Sequence, residues 1–157
     1  MVFIPRDPVV QNQFLTHDST FSATATAGSV VALTGDELVA VASGSPGGNP
    51  YGFLMQNVKA ESSAHPTGFR LPGDLGSSDA FTGDPVGVAH LGIYDTTHYN
   101  TATTYTAGVE LTTGDTDGQV TPTGVNQANA TVVAIAQNSL DSAAVSAGQK
   151  LRIKIII

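Results

Sequence analysis

Hydrophobic and polar positions alternate most clearly at the end of the chain. Leu151, Ile153 and Ile155 interleave with Lys150, Arg152 and Lys154, a period of two that predicts a strand with aliphatics on one face and cations on the other. The chain closes on Ile156-Ile157, so this strand is expected to be paired or covered rather than left in water. Shorter strands are predicted upstream. Ala23 to Leu33 opens the β-rich part, Gly35-Asp36 turns into 37–42, and Tyr51 to Lys59 resumes after the turn-forming run 43–50. Val86 to Tyr94 reads as one buried strand and Tyr99 to Leu111 as a Thr- and Tyr-rich one. Asp115 to Gly118 reads as a hairpin turn before 119–121, and 138–147 has room for one short helical turn.

A block recurs about 80 residues along. Thr26-Ala27-Gly28-Ser29-Val30-Val31-Ala32-Leu33-Thr34-Gly35-Asp36 returns as Thr106-Ala107-Gly108-Val109-Glu110-Leu111-Thr112-Thr113-Gly114-Asp115. Each copy leads to an apolar run ending in Gln-Asn, at Gln56-Asn57 and Gln137-Asn138, with the offset drifting by one residue. Two related halves, about 24–60 and 104–140, follow from this, as two lobes or as two halves of one barrel. The expected fold is all-β: a compact β-barrel or β-sandwich over 23–157, with long loops and an extended N-terminal arm at 1–22. Pro5 and Pro8 stiffen that arm, and Phe3, Ile4, Phe14 and Leu15 give it apolar contacts. Residues 60–84 show no periodicity, and a loop of that length is a candidate contact surface through Phe69, Arg70 and Leu71.

Composition narrows the function. Apolar residues make up 41% of the chain and aromatics only 6%, so small aliphatics must build the core. Charged residues are 12%, about half the usual share. The net charge of −7 offers no basic footprint for phosphates, which argues against nucleic acid as a partner. Half of the basic residues fall within 150–154, a stripe suited to an acidic partner, a neighbouring copy, or the guarding of an edge strand. With no cysteine, disulfides and thiolate metal sites are out of reach. The first residues are too short for a signal peptide, and no apolar run approaches a membrane span, so no membrane partner is expected.

Catalytic patterns are incomplete throughout. His17, His65, His90 and His98 lack helical zinc spacing; His90 reads as a structural or surface residue, and His98 as an ordinary loop residue in preference to a site-lining one. Asp115-x-Asp117-Gly118 lacks the third oxygen residue of a calcium loop, and Asn126 stands where its bidentate glutamate would fall, so it reads as a hairpin turn. Gly44-Ser45-Pro46-Gly47 is no nucleophile elbow, and Gly148-Gln149-Lys150 is no phosphate loop. No catalytic, cofactor or metal residue is therefore named, and a non-enzymatic surface is expected.

Four stretches resemble decoration proteins of tailed-phage heads, also called cement or head-stabilising proteins. They are residues 27–33 with 50–57, Gly83-Asp84-Pro85-Val86-Gly87-Val88-Ala89-His90-Leu91-Gly92-Ile93-Tyr94, and Ala147-Gly148-Gln149-Lys150-Leu151-Arg152-Ile153. The resemblance lies in strand and turn style, and the family has no catalytic residues to transfer. It implies a small β-rich virion protein, made in the host cytoplasm and carried on the capsid exterior. Its partners would be the major capsid protein and itself, as a homotrimer or a dimer. The expected contact residues are Phe3, Ile4, Pro5, Phe14, Leu15, Phe69, Arg70, Leu71, Lys150, Arg152, Lys154, Ile155 and Ile157. A receptor- or glycan-binding β module of a tail fibre or adhesin is the alternative, with Tyr51, Tyr94, Tyr99 and Tyr105 as its aromatic surface.

Overall fold

Fourteen short strands and one helical turn make up the described residues of the computed structural model: 3–7, 13–17, 24–34, 37–40, 49–59, 79–81, 85–114, 118–126 and 131–157. In chain order the strands are β1 (Phe3–Asp7), β2 (Gln13–His17), β3 (Thr24–Ala25), β4 (Val30–Thr34), β5 (Glu37–Ala40), β6 (Pro50–Leu54) and β7 (Asn57–Lys59). Then come β8 (Asp79–Phe81), β9 (Pro85–Ala89), β10 (Leu91–Thr96), β11 (Glu110–Thr113), β12 (Val120–Pro122), β13 (Ala134–Ala136), α1 (Ser142–Ser146) and β14 (Leu151–Ile156). The fold is all-β.

Pairing reveals two units of one design. In the first, the order β2-β9-β6-β4-β5 is antiparallel until β5, which returns to β2 in parallel through Thr16↔Glu37 and His17↔Leu38. In the second, β10-β14-β13-β11-β12 repeats that antiparallel order. A parallel bridge, Tyr99↔Val120, returns β12 to the chain just past β10. Both circuits turn on the repeated block. Ser29 N donates to Thr26 O and Val109 N to Thr106 O, each at 3.0 Å. The glycine between, Gly28 at φ 94° and Gly108 at φ 88°, supplies the positive φ that a type II turn needs at its third residue.

The equivalence continues into the neighbouring strand. Gly28 N donates to Leu54 O and Gly108 N to Ala136 O, both at 2.8 Å. Ala27 N is held by Asn57 Oδ1 at 3.1 Å, Ala107 N by Ser139 Oγ at 3.0 Å. Asn57 therefore corresponds to Ser139 and not to Asn138, which instead brackets β14 through Lys150 O and Arg152 N. The Gln-Asn landmark is thus one residue out of frame, because its two copies cap different backbone groups.

Several expected elements change. Of the extended arm expected at 1–22 to pack on its own body or on a neighbour, residues 3–7 and 13–17 are strands paired within this body. β1 is an edge strand beside β10, the kind of strand in which a sheet accommodates a proline such as Pro5. The run Val86 to Tyr94 breaks at His90 into β9 and β10, which belong to different units. The stretch Tyr99 to Leu111 is mostly turns, since Tyr105 Oη lies 2.9 Å from Asn100 O and 3.1 Å from Val120 O and folds the chain back. β14 lies between β10 and β13, so its cations do not guard an edge. The first residues of the turn expected at 43–50, and the loop segment 60–78, lie outside the described residues.

One core runs through both units. Val30, Ala32, Phe53 and Ala89 of the first pack with Leu111, Val120, Leu151 and Ile153 of the second. A smaller cluster, including Val31, Leu54, Val86 and Val88, fills the first unit. Beside it, Asp79 on β8 accepts from Asn57 Nδ2 and pairs with Lys59. Hydrogen bonds from Lys59 and then Asn57 lower its pKa below the usual aspartate value, outweighing a small desolvation cost. A depressed folded-state pKa stabilises the fold above the unfolded value of about 3.9 and stops doing so as pH falls through the folded value. Asp79→Asn is accordingly expected to lower the melting temperature at pH 6. Wild type and variant should converge as pH falls through the folded value, which thermal melts along a descending pH series would check.

Candidate functional site

The outer face of the second unit is built by cross-strand pairs. Residues directly opposite in a sheet point to the same side. Lys154 on β14 faces Ile135 on β13, and Ile135 faces Glu110 on β11. Lys154 and Glu110 are exposed and Ile135 is half-buried. One step along, Leu91 on β10 pairs with Ile156 on β14, and they are 44% and 42% exposed. On the other side, Arg152 Nε donates to Asp95 Oδ1 at 2.9 Å. That carboxylate raises the pKa of the Arg152 guanidinium by hydrogen bonding and by charge.

The same row in the first unit has the opposite character. Val30↔Phe53 and Phe53↔Ala89 reproduce Glu110↔Ile135 and Ile135↔Lys154, yet Val30, Phe53 and Ala89 are fully buried. They lie against the second unit, with Phe3 stacked between Phe53 (ring centroids 6.0 Å) and Tyr94 (4.5 Å). Backbone and side-chain bonds cross the same junction: Val30 N donates to Gly118 O at 2.9 Å, and Ser29 Oγ bonds His98 Nε2 at 3.0 Å. This serine–histidine pair sits at 2% and 5% exposure, so the hydroxyl has no open approach for a substrate and serves to tie the units together. No family model matches the chain, and no curated protein is significantly similar to it.

The expected contact residues therefore divide. Lys150, Arg152 and Lys154 are exposed, and Arg152 is already paired with Asp95. Ile155 is 1% exposed and belongs to the core, because strand alternation turns it inward; it is corrected out of the contact set. Ile157 is half-buried against that core. Phe3 is half-buried in its aromatic stack, which anchors β1 rather than reaching outward. Ile4 and Pro5 lie on β1, and Phe14 and Leu15 on β2. Phe69, Arg70 and Leu71 fall outside the described residues.

Missed from sequence were Leu91, Ile135 and Glu110, which only the pairing of β10, β13 and β11 with β14 brings beside Lys154. Other surfaces offer less. Among the described residues no three His, Cys, Asp or Glu side chains converge as a metal site would require. A groove of about 170 Å³ between residues 101–104 and α1 is lined by hydroxyls and is smaller than ordinary ligand pockets. Tyr94, Tyr99 and Tyr105 are buried, so they cannot serve as stacking platforms. His98 holds the expected loop position just past β10 but is buried there, and His90 rests edge-on against Tyr51 at 4.7 Å.

Proposed function

We propose that the chain is a virion structural protein of the decoration type, a cement protein that binds the major capsid protein on the outer surface of a phage head and stabilises neighbouring capsomers. The supporting observation is the presentation of large aliphatics in water on regular strands. Leu91 and Ile156 form one exposed pair at the end of the ladder between the internal strands β10 and β14, and Leu33 stands 40% exposed on β4. Sheet-borne apolar contacts flanked by charges keep their geometry without a ligand. Repeated over a lattice, many such modest contacts hold a shell by avidity.

The test is direct. Purified protein mixed with empty, expanded heads should co-sediment with them and raise their heat resistance, and Leu91→Asp with Ile156→Asp should weaken both effects. Absence of binding together with retention on a glycan array would overturn the reading in favour of a receptor-binding module.

A further inference from the structure

We propose that two copies of this chain pair face to face through the row Lys154–Ile135–Glu110, around a two-fold axis that runs along β13 above Ile135. Two independent observations converge on this row.

The first is its counterpart in the other unit. The equivalent row Ala89–Phe53–Val30 is the surface by which the first unit docks onto the second. This face of the five-strand unit is therefore one the fold already uses for docking, and in the second unit it is open.

The second is the order of charge. Neighbouring strands lie about 4.8 Å apart, so Lys154 and Glu110 stand roughly 10 Å from each other with Ile135 midway. Rotation by 180° about an axis parallel to β13 exchanges the β14 side with the β11 side. Each Lys154 then meets the partner's Glu110, and Ile135 meets its own copy, an isologous and self-limiting contact. Neither charged side chain has an ion-pair or hydrogen-bond partner within its own chain among the described residues. Arg152, by contrast, is matched internally by Asp95. Two matched pairs around an aliphatic centre specify a second copy as the occupant, because a row reading plus, apolar, minus is its own complement.

The experiment is a charge swap on the full chain, read by sedimentation equilibrium in low salt, with circular dichroism to verify folding. Wild type should weigh twice the 16.0 kDa chain. Lys154→Glu alone opposes Glu to Glu, and Glu110→Lys alone opposes Lys to Lys, so each should weaken the dimer by about tenfold or more. The double variant should return to within about threefold of wild type, since the complementarity is restored with its sense reversed. A monomeric or trimeric wild type, single variants that pair normally, or a double variant that stays apart would each overturn the proposal. Shell binding is measured separately on heads, so loss of pairing and loss of decoration are distinguishable.

Discussion

Phe53→Ala is expected to cost about 3–5 kcal/mol of stability, a large part of the margin that an ordinary domain possesses. The ring is fully buried where the two units meet, and Phe3 stacks on it. Truncation would empty a site walled by β-sheet on both sides, which has little freedom to collapse. The stack that fixes β1 would lose one of its rings at the same time. Its counterpart Ile135 occupies the same register position on a half-exposed face. Ile135→Ala should cost roughly 1 kcal/mol, as partial burial of a similar area implies. Urea unfolding of the two variants would check the contrast, and equal losses would show that the faces are not distinct.

Gly118→Ala should cost about 2–5 kcal/mol, combining left-handed strain with overpacking. Gly118 has φ 64°, and an added Cβ would sit 2.8 Å from Ser29 Cβ and from both Val30 N and Val30 O. Backbone atoms of the opposite unit cannot swing aside as a flexible side chain would. The displacement would also strain the bond from Val30 N to Gly118 O. Gly148 supplies the control, with nearly the same φ of 65° and nothing within 4 Å of the added carbon. Gly148→Ala should therefore show the strain alone, about 1–2 kcal/mol. The excess at Gly118, measured in the same denaturant series, reports how tightly the units are joined.

Where one face of an element is buried and the other wet, the residue pattern alone discloses it. β14 is such a case: its burial alternates as the period of two demands. β11 and β12 pair antiparallel up to Thr113↔Val120, as the hairpin reading expects, while Asp115 to Asp117 of its turn lie outside the described residues. The break at His90 leaves no such trace, because residues 86–89 and 94–96 are all buried and nothing marks the passage from one unit to the next. Tyr99 and Tyr105 mislead for another reason. Their β propensity is real, but their buried hydroxyls find backbone carbonyls at Gln149, Asn100 and Val120, and the chain turns to meet them.

The repeat was readable further upstream than its opening block. Thr16-His17 and Thr97-His98 fall within a residue of equivalence at the ends of β2 and β10, where both units close their circuit. The candidate face was harder to read, since Glu110, Ile135 and Lys154 are scattered in sequence and only strand pairing aligns them.

The asymmetry between the two rows also fixes the order of the halves. Val30, Phe53 and Ala89 are fully buried, whereas Glu110 and Lys154 stand exposed on the surface of the chain. Transposing the halves would bury a carboxylate and an ammonium and strand an aromatic ring on the outside. The two halves are thus not interchangeable: the dry row is committed to its sibling, and the charged row faces outward.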